Sequence, residues 1–327
     1  ADTINVPADQ PTIEDAILAA APGDIILVAD GTYDPPSTLS IPQALTISGA
    51  SEAGVIINLP TVQAYGFTVT ASDVLLENFT IVANATNEQY PIHASGTSNP
   101  PNGFDNLTLQ NITIQGVHRR TGFDVHGYNT LVMSNLTSMD ATGGNGAQIT
   151  GCVGVTIDNI TTLNNAWGSF AIYCSNSSYL DRGSDNVNID GASCSFGEGN
   201  LFSQDEFGLT NTNITVTGYG YLVRNFYFRP DAAGYTFFQD TESNAVAHAL
   251  SLDGIAPGSF INLISDGSFV IAPGMGIQPA IDAASPGDVV NVGAGTYREQ
   301  LYIDKDLSLA GAGSTMTILE APDAVDR

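Results

Sequence analysis

Apolar and polar residues alternate along the chain in short runs: Val74-Leu75-Leu76, Leu107-Thr108-Leu109, Leu131-Val132-Met133, Val155-Thr156-Ile157 and Val187-Asn188-Ile189. A period of two marks strands. An Asn-x-Thr phrase recurs with them, at Asn78, Asn111, Asn135, Asn159 and Asn213, and Asp190-Gly191 divides the last interval. The steps are 33, 24, 24 and 54 residues, and a step near 24 is a solenoid period. A second register runs beside the first: Gly66-Phe67-Thr68-Val69, Gly122-Phe123-Asp124-Val125, Gly146-Ala147-Gln148-Ile149, Ser169-Phe170-Ala171-Ile172 and Gly220-Tyr221-Leu222-Val223. Each coil thus has at least two strands. One coil cannot bury its apolar side alone, so copies stack, each strand pairing in parallel with its equivalent one coil later.

Asparagine suits the bends because it tolerates the left-handed conformation and its amide can bond to its copies above and below. That ladder accounts for the Asn-x-Thr triplets without invoking glycosylation.

The two ends carry the same text. Pro22-Gly23-Asp24 stands nine residues before Gly31-Thr32-Tyr33, and Pro286-Gly287-Asp288 nine before Gly295-Thr296-Tyr297. Ahead of the first copy, Thr12 to Ala20 predicts a short amphipathic helix with a capping-box start and Ile13, Ala16, Ile17 and Ala20 on one face. Such a helix can cover the open end of a first coil. Pro-Gly predicts a type II turn into Ile25-Ile26-Leu27-Val28, and a further strand runs to Leu45-Thr46-Ile47-Ser48-Gly49. The second copy keeps these parts, with Ile277, Ala280 and Ile281 on a helix and Leu307-Ser308-Leu309-Ala310-Gly311 as the later strand.

This combination resembles the start of right-handed parallel β-helix proteins of the pectin-lyase-like superfamily. The expected fold is an all-β, right-handed parallel β-helix with an N-terminal capping helix, spanning 1–265, and the start of a second β-helix unit over 266–327. Only about two coils follow the second opening, fewer than the roughly three that stand alone. The fragment is expected to lean on a neighbour or to be followed by more chain.

Charged residues are 13% of the 327, with 34 acids against 8 bases and a net charge of −26. Nucleic acid and anionic membrane surfaces are excluded as partners by repulsion, and no apolar run is long enough to span a bilayer. The chain opens Ala1-Asp2-Thr3, which reads as a mature secreted or cell-surface protein after leader removal. Cys152, Cys174 and Cys194 suit buried free thiols better than one disulfide with a leftover cysteine.

The superfamily's enzymes act on acidic polysaccharides through carboxylate clusters, or through calcium with a basic residue. Their motifs are absent here. In the second register the outward positions Thr70, His126, Thr150, Tyr173 and Arg224 stack, with Asp124 beside Gln148, so Asp124, His126, Arg224 and Arg120 are the catalytic candidates for a lyase or glycoside hydrolase. Calcium is conceivable in the Asp181–Asp185 bend, and Asp205-Glu206 and the aromatic cluster from Tyr219 to Phe238 are secondary candidates. With no complete motif, the leading expectation is a structural or adhesive β-helix that stacks end to end with copies of itself. A polysaccharide-cleaving enzyme or a non-catalytic carbohydrate-binding protein is the alternative.

Overall fold

The computed structural model describes residues 1–59, 63–84, 89–96, 103–176, 180–197, 268–271 and 273–322. Between 201 and 263 it describes the backbone of 201–202, 212–217, 220–223, 227–228, 238–239 and 260–263. The chain winds as a right-handed parallel β-helix. One long sheet stacks Thr3–Val6, Asp24–Val28, Leu45–Gly49, Val74–Val82, Phe104–Gln115, Tyr128–Met139, Val153–Leu163, Asp185–Asp190 and Thr212–Thr217 in chain order. A second sheet has seven strands, from Leu39–Ile41 through Tyr65–Val69, Tyr90–Ser95, Phe123–His126, Asn145–Thr150 and Gly168–Tyr173 to Leu201–Phe202.

The core is a set of vertical columns. Ile26, Ile47, Leu76, Leu109, Met133, Ile157 and Ile189 lie in successive register on the first sheet, and all are buried. Ile41, Val69, Ala94, Val125, Ile149 and Ile172 form the matching column on the second. Each fully buried aliphatic side chain contributes roughly 1.5–3 kcal/mol over exposure, so the columns supply the cohesion between coils.

The asparagine bends are corners that shift the alternation by one residue. Asn78, Asn111, Asn135 and Asn159 have φ of 62°, 52°, 52° and 48°. Before the corner Leu107 and Leu109 point inward; after it Ile112 and Ile114 do. An unbroken strand would have turned the second pair outward. The amides form the expected ladder, with Nδ2 of Asn111 donating to Oδ1 of Asn78 (2.9 Å), Asn135 to Asn111 (3.0 Å) and Asn159 to Asn135 (2.5 Å). Asn213 does not belong to this column: Ile214 pairs with Val187, which puts Asn213 level with Asn186. That position continues another left-handed column, Asp73, Asn106, Thr130, Gly154 and Asn186. Two corners of the coil use the same chemistry, and the short phrase alone cannot tell them apart.

The two openings are built alike. Helices Ile13–Ala19 and Ile277–Ala283 bury Ile13, Ala16 and Ile17, and Ile277, Ala280 and Ile281. Thr12 Oγ1 accepts from the Asp15 N–H (3.0 Å) as the first helix's cap, whereas Glu299 caps the second by accepting from the N–H groups of Ile277 and Gln278. Gly23 and Gly287 take φ of 89° and 97° in the expected turns. The aspartate that follows closes each turn: the carboxylate of Asp24 accepts from Ala21 N–H (2.8 Å) and that of Asp288 from Ser285 N–H (2.7 Å). The tyrosine of Gly-Thr-Tyr reaches back four residues, Tyr33 to the carbonyl of Ala29 and Tyr297 to that of Gly293. The strand Ser268–Ile271, which precedes the second opening, runs antiparallel to Phe260–Leu263. Cys152, Cys174 and Cys194 are buried, and none of them is in a disulfide.

Two outcomes test this account. Gly49 lies where a Cβ would overlap the carbonyl oxygen of Asn78 on the next coil, so Gly49→Ala should destabilise the chain by about 1–3 kcal/mol in a denaturant titration; an unchanged midpoint would contradict the close approach. Asp24 is held below the ordinary carboxylate value of 3.8 by the N–H groups of Asp2 and Ala21. A depressed pKa gives stability that is full above the unfolded value and lost as pH falls below it. The melting-temperature gap between wild type and Asp24→Asn should therefore be widest above about pH 5 and close toward pH 2, and a gap constant across that range would refute it.

Candidate functional site

The seven-stranded sheet contains one coil that the repeat phrases do not mark. Tyr90–Ser95 lies between Tyr65–Val69 and Phe123–His126, pairing Ile92 with Phe67 on one side and with Phe123 on the other. Thr70 is therefore two coils from His126, and the direct neighbours of His126 are Ser95 and Thr150. Inward-pointing Phe123 and Val125 fix Asp124 and His126 on the outer face of the sheet. His93 pairs directly with Asp124.

Residues i and i+2 of one strand and the cross-strand neighbour of the first make a triangle of side chains on one face. Here the triangle closes on a carboxylate. His93 Nδ1 lies 2.6 Å from Asp124 Oδ2, and His126 Nε2 lies 2.7 Å from Asp124 Oδ1. Gln148 Nε2 donates to the same Oδ1, and Gln148 Oε1 accepts from Thr121 Oγ1 (3.0 Å) and Asn145 Nδ2 (3.2 Å). Asp124 is 2% exposed, the imidazoles 22% and 24%.

Burial alone would push the Asp124 carboxyl up. The charge of His126 and the hydrogen bonds from both rings outweigh it and hold the group well below the usual carboxylate range. His126 is moved up for the reciprocal reason, burial opposing and the Asp124 charge prevailing. An ionised carboxylate only accepts, so both rings donate to it, and only a ring in its neutral form has an acceptor at its other nitrogen, Nε2 of His93 or Nδ1 of His126.

Aromatic groups continue the cluster. Tyr65 and Tyr90 stack at 5.7 Å between centroids, His93 lies 5.0 Å from Tyr65 and 5.5 Å from Tyr90, and His126 lies 5.4 Å from His93. The Arg120 guanidinium sits 5.8 Å from the Tyr90 ring centroid.

Of the four candidates read from the sequence, Asp124 and His126 are bonded to each other and Arg120 is joined to them through Tyr90 and His93. Arg224 lies outside the described residues, and the strand before it, Gly220–Val223, pairs with Phe260–Leu263 rather than with the seven-stranded sheet. Leu201–Phe202 takes the place expected for it. Asp205, Glu206, Tyr219, Phe226, Tyr235 and Phe237 also lie outside the described residues. Sequence reasoning missed His93, Tyr65 and Tyr90. A usable signal was present, because Gly66 and Gly122 are 56 residues apart, room for two coils, and Ile92-His93-Ala94 has the inward-outward-inward pattern for the missing one. Among the described residues, His93, Asp124 and His126 form the one group of side chains spaced to hold a metal ion, and Asp181 and Asp185 are not part of it.

No protein-family model matches the chain, and neither does any curated protein. Solved structures that resemble it include the catalytic domain of a GH87 α-1,3-glucanase in complex with tetrasaccharides, at 14% identity and a TM-score of 0.48, the match covering 99% of this chain and 68% of that one. A pectin methylesterase in complex with a hexasaccharide matches at 13% identity and a TM-score of 0.42 over 86% of this chain and 94% of its own. Pectin methylesterase PemA from Erwinia chrysanthemi matches at 11% identity and 0.40, with the same coverage. These likenesses extend no further than the coil, which the strand pairing establishes independently. The stacked parallel register and the capping helix make the chain a right-handed parallel β-helix protein.

Proposed function

We propose that the protein is secreted or displayed at a cell surface and acts on a polysaccharide held along the outer face of the seven-stranded sheet, with His93, Asp124 and His126 as its chemical centre. The observation that carries this reading is a buried carboxylate lying under two partly exposed imidazoles, with two stacked tyrosines alongside. Tyr65 and Tyr90, both partly exposed, add an aromatic surface against which the apolar side of a sugar ring can pack. The outer nitrogens of the histidines can accept hydroxyl protons, and Asp124 fixes both rings. A net charge of −26 disfavours polyuronates, so the substrate class is a neutral glycan. The cluster holds one carboxylate, kept ionised, whereas the common glycoside-hydrolase mechanisms use a pair with one protonated. Proton transfer would therefore run through imidazole.

Affinity electrophoresis in gels containing neutral glucans, mannans or xylans provides the test. Tyr90→Ala should weaken retention about tenfold, and Asp124→Asn should abolish release of reducing ends or unsaturated products from any glycan the wild type cleaves. A Tyr65→Ala/Tyr90→Ala double variant retained as well as wild type would remove the proposal.

End-to-end stacking is supported by a separate observation. We propose 1–265 and 266–327 as two β-helix units, the second serving as the joint. Beside strands Ser308–Gly311 and Thr317–Glu320, Leu309, Met316, Ile318 and Leu319 are 40–51% exposed. Sedimentation velocity should show association that Leu309→Asp/Leu319→Asp eliminates. A full chain that stays monomeric at about 100 μM, a concentration at which micromolar contacts are populated, would rule the joint out.

A further inference from the structure

We propose that His93, Asp124 and His126 form a binding site for a single divalent transition-metal ion of the zinc class. One ligand atom from each residue lies within 4.8 Å of the others. All three stand on the same face of two hydrogen-bonded strands, so no backbone movement is needed to aim them at a common point. Tetrahedral zinc with bonds near 2.0–2.1 Å needs ligand atoms roughly 3.3 Å apart. The N···O separations of 2.6 and 2.7 Å reach that by small side-chain rotations.

Binding needs no redox step and no co-reactant. Each ring coordinates through the nitrogen that faces Asp124: a neutral ring moves its single proton to the outer nitrogen, and a protonated ring also releases its second proton to solvent. The carboxylate, already ionised, exchanges two hydrogen bonds for one metal bond. Gln148, itself held by Thr121 and Asn145, keeps the carboxylate in place, the kind of outer support that metal sites use.

The donor set selects the ion. Two imidazoles with one carboxylate suit zinc, cobalt or nickel, whereas calcium takes six to eight oxygens. Three protein ligands leave a further position on the solvent side, where water or a sugar hydroxyl can bind. The strongly negative chain concentrates cations around it. The inference rests on the same cluster as the polysaccharide reading, and it requires no glycan.

The full chain, stripped with a chelator and dialysed, would be titrated with zinc chloride alone and its bound metal counted after gel filtration. One zinc per chain is expected, with affinity at least tenfold weaker in Asp124→Asn and in His93→Gln. Equal affinity in these variants, or no saturable uptake by wild type, overturns the site. Because a variant can fail to fold, the wild type supplies a second readout: zinc, and not calcium, should protect His93 and His126 from carbethoxylation by diethyl pyrocarbonate, mapped by mass spectrometry. Modification at the same rate with and without zinc, or equal protection by calcium, also overturns it. Zinc uptake without glycan retention would sink the polysaccharide reading alone, and chelator-insensitive retention without zinc uptake would sink this one alone.

Discussion

Parallel in-register stacking of one coil on the next is the constraint on which everything else depends. It places like residues over like, so an isoleucine column is buried along its whole length and an asparagine column becomes a hydrogen-bonded ladder. The corners matter as much as the columns. A left-handed residue at Asn111 or Asn135 shifts the inward-outward alternation by one, which lets both limbs of a bent strand face the same core. Few residue types take that conformation cheaply, and asparagine alone of these also satisfies its neighbours' amides. The stacking spares most of the backbone from water, and leaves only the ends of the column to be managed.

The repeated opening manages such an end. A helix of seven residues buries three apolar side chains over the first coil, and an aspartate after Pro-Gly takes up backbone N–H groups that no strand satisfies. Asp288 repeats the turn contact at Ser285, and Tyr297 repeats the tyrosine contact of Tyr33. The same local chemistry thus recurs in both openings, while the cap of the helix itself varies, Thr12 in one copy and Glu299 in the other.

The solenoid also explains how a histidine–carboxylate cluster arises on a surface with so few charges. Because coils repeat, a histidine from one coil lands beside an aspartate from the next, and the residue two further along the same strand completes the set. Asp124 is buried by its own partners rather than by the core, and their positive character keeps it ionised despite that burial. The flanking tyrosines come from two neighbouring coils. A flat row of outward positions becomes a site wherever large side chains from adjacent rungs lean together.

The sequence by itself determined the coil, its period, the asparagine corners and both openings, because these rest on local alternation and turn chemistry repeated often enough to stand out. It also brought Asp124 and His126 to one face, since two residues apart on a strand share a side. What it did not determine was which coil neighbours which. The 33-residue step between Asn78 and Asn111 concealed the rung carrying Tyr90 and His93, and the Gly220–Val223 strand, which matches the second register in text, pairs elsewhere. Asn213 was misplaced for the same reason, since two corners share one residue preference. Register between distant segments is set by how whole rungs pack, not by the residues within one, so only the tertiary structure could place His93 against Asp124 and make two legible residues into a cluster of three.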